Sequence, residues 1–467
     1  MISAEELTEA ALAASKADGA VVLLGEASEA NLRWANSTMT TNGHSTSRSF
    51  AVISVLDGPD GRCAGTVSGN GADLDEVRAV VAASEEAARQ SGPAQDAAPL
   101  VEGPADPDFA TPGAATEIGV FGRLAAELSD AFAESRSATS GGGHLLYGFA
   151  EHRLETTWLA SSTGLRRRWV QPTGTVELNA KVADDLSRSA WAGAYTADFT
   201  DVDLPALSAE VRRRLGWSRR RIELPAGRYE TILPPSAIAD LMIYMAWEME
   251  GRPAHEGRSA FSAPSGKPGG TRLGERLSEL PLTLSSDPTA SGLATTPFLT
   301  TTTSTDSVSV FDNGAPVDRV DWIRDGTINA LAYPRAAAGE LGGQFTPPPE
   351  NLILTGGSSS RVDDMVAATE RGLLLTCLWY IREVDPASLL LTGLTRDGVY
   401  LVEDGAVVGQ VNNFRFNESP IDLMRRIREV GVTERTLCRE WKDWFSRTAM
   451  PPVRVHDFNM SSVSRAS

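Results

Sequence analysis

The sequence predicts an α+β protein, with an N-terminal α+β domain over residues 1–225 followed by a mainly β C-terminal domain over 226–467. Three observations lead there. Helix-period and strand-like runs are interleaved in the first half, "LPAGRYETILPPSAIADLMIYMAWEME" (224–250) marks a break, and the last third alternates short apolar runs with turn dipeptides.

Residues 4–17 have helical spacing, and "AVVLLGE" (20–26) and "SFAVISVLDG" (49–58) read as strands. The turn "DGPDG" (57–61) joins the second of these to "RCAGTVSGN" (62–70) as a hairpin. "DLDEVRAVVAASEEAARQS" (73–91) is a helix with Val77, Val80, Val81 and Ala87 on one face and Asp73 or Asp75 as its cap. The Pro/Gly/Ala-rich stretch 92–117 has no period and reads as a surface connector or mobile loop, and a helix follows at 119–135. "GGGH" (141–144) then opens an antiparallel meander of "HLLYGFAEHRLETTWLA", "LRRRWVQ" and "GTVELNAKVA".

Past residue 225 come a strand, a Pro-Pro turn with Ser236 as N-cap, and a long apolar helix. A Gly/Pro loop (251–275) leads to the Thr-rich "TTPFLTTTTSTDSVSVFDNG", whose composition predicts a strand ending in an Asn313-Gly314 hairpin turn. Further strands are expected in "DWIRDGTINALAY", "NLILTGG", "GLLLTCLWYIREV" and "SLLLTGLTRDGVYLVEDGAVVGQV", with turns at Asp397-Gly398 and Asp404-Gly405. No repeat of fixed period is visible.

Composition excludes several classes. With 42% hydrophobic residues, 10 Trp and 14 Phe, the chain builds real cores. Its net charge of −18 disfavours nucleic acid, and the short basic run "RRRLGWSRRR" (212–221) reads as a solvated or interdomain surface. Cys63, Cys377 and Cys438 are odd in number and far apart, so neither a disulfide framework nor a zinc ribbon is expected, and a reducing compartment fits. The acidic N-terminus lacks the pattern of a signal peptide, and no apolar run approaches the roughly 18 residues a span needs. The expectation is a cytoplasmic protein without membrane contact.

The residues alone yield no catalytic set. A zincin helix needs two histidines on one face and a Glu beside the metal-bound water. His255-Glu256 supplies one such pair, with "GRSAFS" rather than a second histidine after it. His44, His144, His152 and His456 have no ligand spacing, although His144 and His152 share a strand face. "ASSTG" (160–164) misses the nucleophile elbow by its first Gly, so Ser162 reads as a hairpin turn residue. "SGNGADL" (68–74) and "GGSSSR" (356–361) are not phosphate loops; Ser358 to Ser360 read as caps of a following helix, whose N-terminus is a place for an anion.

Three ordered stretches carry a family resemblance. "LRWANSTMTTNG" (32–43), "LPAGRYETILPPSAIADLM" (224–242) and above all "RGLLLTCLWYIREVDPASLLLTGLTRDGVYLVEDGAVVGQVNNFRFNESP" (371–420) resemble the TldD/PmbA (TldE) family of metallopeptidase-related proteins. In its TldD branch the helix entering the C-terminal domain carries H-E-x-x-x-H. Anchored on Glu250-Gly251 and "SAFS" (259–262), the resemblance puts Met242 and Trp247 where the histidines belong and Ile243 at the Glu. A further Cys ligand falls close to Trp379, with Cys377 nearby.

The resemblance therefore implies a TldE/PmbA-type subunit with no catalytic residue, metal or cofactor of its own. Its implied partner is a TldD-type subunit carrying the zinc, in a heterodimeric peptidase acting on unfolded peptides or small amide substrates. The Thr-rich strand at 299–310 is a candidate edge for holding extended peptide, while Met242, Tyr244, Met245 and Trp247 are also ordinary core formers. Two alternatives stay open: a homodimeric peptide-binding or scaffold protein without hydrolysis, and an enzyme using His255, Glu256 or Cys377.

Overall fold

The computed structural model describes residues 2–70, 73–137, 143–264 and 269–464. The first six strands are β1 (Gly19–Ala35), β2 (Thr38–Gly58), β3 (Gly61–Gly69), β4 (His144–Ser161), β5 (Arg166–Val182) and β6 (Asp185–Thr196). They form one antiparallel sheet in the order β3-β2-β1-β4-β5-β6. The expected hairpin at 57–61 is there, with Gly58 opposite Gly61.

Four helices lie on this sheet: α1 (Ala4–Ala14), α2 (Leu74–Gln90), α3 (Gly122–Ser137) and α4 (Leu204–Trp217). Asp73 is the N-cap of α2, accepting from the amides of Asp75 and Glu76 at 2.9 and 2.8 Å. Its buried stripe runs Val77, Val80, Val81, Ser84, Glu85, Ala88, so Ala88 rather than Ala87 faces the sheet. Strand alternation explains why "AVVLL" is apolar throughout. Val22 and Leu24 meet α1 and α2, while Val21 and Leu23 meet Phe298, Val310 and Phe311 from far down the chain.

The meander differs from expectation in one respect: "LRRRWVQ" and "GTVELNAKVA" are a single strand, β5, running through Pro172. At Pro172 the strand pairs only with β4, because its pairing with β6 begins at Gly174, so the missing N–H costs no second ladder. The stretch 92–117 has no helix or regular strand, yet it is pinned. Phe109 is buried, its carbonyl accepts from Trp158 Nε1 at 2.9 Å, and Asp106 pairs with Arg167 at 2.9 Å. Gly141 and Gly142 of "GGGH" lie outside the described residues.

The remaining strands form two sheets. In a ten-stranded sheet, strand Gly227–Leu233 lies between Val453–Val463 and Arg371–Leu375, and Leu378–Asp385 is an edge. In a six-stranded sheet, Thr283–Ser286, Val320–Arg324 and Leu352–Thr355 are internal and Glu434–Thr436 is an edge. Helix α5 (Pro235–Trp247) fills the space between them, packing with Leu233, Leu375 and Phe458 of one sheet and Trp322, Leu354 and Met450 of the other. Helix α6 (Gly251–His255) follows inside the expected loop.

Four local expectations are corrected. The N-cap of α5 is Pro234, not Ser236, because Pro235 with its fixed φ opens the helix one residue earlier. The Thr-rich stretch is not a strand. Thr301 Oγ1 donates to the Thr303 carbonyl at 2.7 Å and accepts from its amide at 3.2 Å, and Thr305 Oγ1 accepts from Ser307 and Val308, so hydroxyls replace the ladder. Asn313-Gly314 does not close a hairpin: the Asn313 amide is spent on the Thr301 and Val310 carbonyls inside a 3-10 turn. Ser358 to Ser360 do not cap the helix Val362–Ala367, whose N-cap is Arg361.

Gly65 fixes how closely α2 approaches. A Cβ there would stand 2.2 Å from the Ala88 amide nitrogen and 2.4 Å from the Ser84 carbonyl, both backbone atoms that cannot turn aside. Gly65→Ala is expected to destabilise the protein by about 1–3 kcal/mol, read as a lowered midpoint in urea denaturation. An unchanged midpoint would mean α2 is free to shift.

Candidate functional site

Helix α5 is apolar around its whole circumference, which fits a helix buried on all sides. Met242 and Ile243 are fully buried in the core, whereas Trp247 is 36% exposed at the helix end. The three positions singled out by sequence thus do not converge on a common space. Trp247 instead stacks edgewise on Trp441 at 5.2 Å and Phe445 at 6.5 Å, with Tyr244 at 6.1 Å.

One charged residue interrupts the helix. Asp240 is fully buried, and its carboxyl accepts from the backbone amides of Glu440 (2.9 Å), Arg439 (3.3 Å) and Trp441 (3.4 Å). Trp441 Nε1 returns a bond to the Asp240 carbonyl at 3.0 Å. Burial pushes the Asp240 carboxyl up to about 8, with the amides opposing the rise.

The loop held in this way reaches in two directions. Glu440 accepts from the amides of Tyr380 and Ile381, both at 3.0 Å, and fixes Tyr380 at φ +54. Arg439 lies between Trp379 (4.7 Å) and Trp191 of β6 (5.3 Å), while Glu177 of β5 faces Arg439, Lys442 and Trp191 Nε1 at 3.4, 3.1 and 2.8 Å. This layered Trp-Arg-Trp contact joins the first sheet to α5.

The other sequence candidates are accounted for elsewhere. Cys377 and Cys438 are buried and their thiols pushed upward by burial, so neither is a ready thiolate. His255 ends α6 with Nδ1 2.9 Å from the Gly269 carbonyl, and Glu256 pairs with Arg258 at 2.5 Å. His144 and His152, eight residues apart on β4, are separated by about 26 Å at ~3.3 Å per residue, too far to share an ion. His152 is spent on Thr116 (2.6 Å) and the Ala197 carbonyl (2.9 Å). Ser162 Oγ accepts from the Ala20 amide at 3.0 Å in the turn between β4 and β5. Gly71 and Ala72 of "SGNGADL" lie outside the described residues. At the helix Val362–Ala367 the Asp364 carboxylate already takes the Arg361 amide at 2.8 Å, where sequence suggested an anion site.

A cavity of about 460 Å³ separates β6 and α4 from the start of α5 and strand Glu434–Thr436. Its charged lining is internally paired, Arg435 with Asp201 at 2.6 Å and Arg214 with Glu210 at 2.7 Å. Among the described residues no group of three His, Cys, Asp or Glu side chains is placed to hold a metal ion. No described helix is long and apolar enough to cross a membrane.

Sequence reasoning missed Asp240 and the 439–442 loop. An Asp between Ala239 and Leu241 in an otherwise apolar helix was the available signal, since carboxylates are rarely buried without partners.

Comparison with known proteins places this geometry. Residues 226–462, just over half of the chain, match the model of the PmbA/TldA metallopeptidase C-terminal domain. The fold is similar to TldE from Thermococcus kodakarensis, with TM-score 0.77 and 14% identity over 97% of this chain and 99% of that one. It is also similar to a candidate modulator of a DNA gyrase from Thermotoga maritima, with TM-score 0.76 and 16% identity over 97% and 99%. A candidate DNA gyrase modulator from Bacteroides thetaiotaomicron gives TM-score 0.74 and 14% identity over 99% and 100%. No curated protein matches in sequence.

Asp240 makes stability depend on pH. Its folded pKa of about 8 lies above the unfolded value, so the folded state retains a proton that the unfolded chain has already lost. Stability is therefore full below pH ~4 and falls toward pH 8 by up to about 1.4 kcal/mol per pH unit. Glu248, pushed up to about 7, adds to the fall below pH 7. Denaturation from pH 5 to 9 should show a slope smaller by close to one proton in Asp240→Asn. Identical slopes would mean Asp240 is ionised in the fold.

Proposed function

The chain belongs to the PmbA/TldD family of metallopeptidase-related proteins, and from that premise we propose that it is a subunit without zinc or catalytic residues of its own. It works with a zinc-bearing TldD-type subunit, in a heterodimer that hydrolyses unfolded or extended peptides. Proteolysis takes place in the partner.

The observation that supports this reading is the chemistry of α5. Zinc in a peptidase takes three nitrogen, oxygen or thiolate ligands and leaves a position for water. Met242 and Ile243 offer a thioether and an alkyl chain inside a closed core, and Trp247 a ring whose N–H only donates. Three polar groups packed at that helix do not fit the ion either. Asp240 is committed to three amides, and Cys377 and Cys438 are held as neutral thiols.

What this chain contributes in such a pair is positional. Its three cysteines are all free, in keeping with a reducing compartment such as the cytoplasm. A rigid subunit of related fold walls a cleft, stabilises its partner and excludes folded proteins, leaving extended chains as substrates.

Metal analysis by elemental mass spectrometry, alongside hydrolysis of unstructured peptides, tests the reading. The expected result is well under one zinc per chain, and cleavage only when a TldD-type subunit with intact H-E-x-x-x-H is added. One tightly held zinc with cleavage by the lone chain would overturn it. A stable self-dimer indifferent to that subunit would also overturn it, in favour of a scaffold.

A further inference from the structure

Nine large apolar side chains are exposed among the described residues. Five are scattered singly, which is ordinary for a surface. Of the other four, Trp247, Tyr380 and Trp444 lie in or beside the loop that Asp240 holds, and Val384 lies further along the strand of Tyr380. Trp444 is 81% exposed and sits in the turn between Trp441 and Phe445, the two rings that Trp247 packs against. Tyr380 is 57% exposed and tied to the same loop through Glu440, and Val384 continues its strand.

Tyr380 is held in that position against its own preference. Its φ of +54 is unfavourable for a bulky side chain, and the Glu440 carboxylate fixes it by taking two successive amides. The ring stands out from the sheet with the Arg382 guanidinium 4.4 Å from its centre. Strand Leu378–Asp385 is a sheet edge, yet its pairing register breaks twice within eight residues. Such an edge is a poor template for an added strand, which leaves its side chains as the features it presents.

The rim of the patch carries two carboxylates, Glu248 and Glu383, while its own cation, Arg382, is taken up by the Tyr380 ring and by Glu440 at 3.5 Å. Glu248 caps the C-terminal end of α5, where the helix dipole already disfavours an anion. Among the described residues, neither Glu248 nor Glu383 has a hydrogen-bond or ion-pair partner for its carboxylate. Burial first, then Glu383 and Glu250, push Glu248 up to about 7. A cation arriving from outside would meet two free carboxylates beside exposed aromatic rings, a setting suited to a guanidinium or ammonium group.

We propose that Trp247, Tyr380, Val384 and Trp444 form the docking face for the metal-bearing subunit, which inserts a basic side chain between these rings and the Glu248 and Glu383 carboxylates. The proposal rests on the heterodimer reading above. Exposed Trp and Tyr clusters and charge complementarity are the features that mark interface anchors.

The test is calorimetric titration of the full chain with the purified TldD-type subunit of the same genome. Trp444→Ala and Tyr380→Gly should each raise Kd by roughly tenfold or more. Glycine accepts the φ of position 380, so Tyr380→Gly should keep or raise Tm, which separates lost binding from lost folding. Glu248→Gln with Glu383→Gln should weaken binding and flatten its salt dependence. Leu186→Ala, exposed on β6 outside the patch, is the unchanged control.

Wild-type binding with unaltered Kd in both aromatic variants would overturn the docking face and leave the heterodimer standing. No binding by the wild type would overturn both. Self-association of the wild type that Tyr380→Gly abolishes would overturn the partner's identity, assigning the face to a second copy of this chain.

Discussion

A single carboxyl buried in an apolar helix organises the centre of this protein. Asp240 cannot remain in the core without hydrogen bonds, and it finds them in three consecutive backbone amides contributed from some two hundred residues away. Satisfying that one side chain fixes the loop at 439–441. The loop then fixes Tyr380 through Glu440, and the first sheet through the Arg439 contacts with Trp191 and Glu177. Removing the acceptor would orphan three amides at once, which is a larger disturbance than the loss of one surface bond.

Around that point α5 acts as a shared core element. Two sheets of different size bury opposite sides of it, so its sequence must be apolar all round, and Met242 and Ile243 are simply what such a position requires. The same burial denies those positions any chemistry that needs water or a metal. At Met242 and Ile243, packing demand and the absence of a polar side chain are thus one fact seen from two sides. Trp247, at the exposed end, is released from that demand and turns to the aromatic surface.

Local signals in the sequence were reliable where local physics decides. Asp73 before an apolar stripe gave α2, and the glycines of "DGPDG" gave the β2–β3 turn. The meander expected from His144 onward gave β4, and the ordered motifs over 371–420 pointed to the family. Expectations failed where a tertiary partner outvotes propensity. The Thr-rich stretch has strand composition but lies on the first sheet as a looped pad, its hydroxyls bonded to its own backbone. β5 runs through Pro172 because no neighbour needed that N–H. The aromatic and carboxylate surface was invisible for a similar reason, since Tyr380, Trp444 and Trp247 are far apart in sequence and meet only after Asp240 gathers the loop.

The pad formed by Phe298, Val310 and Phe311 has a consequence for biosynthesis. Val21, Leu23, Ile53 and Leu159 form one face of the first sheet, all present once about a third of the chain has left the ribosome, but their cover is completed only by these late residues. An emerging chain therefore carries an unfinished hydrophobic face through much of translation. Until the middle of the sequence folds back to seal them, those early strands lack their outer layer, and a face of that kind is prone to aggregation.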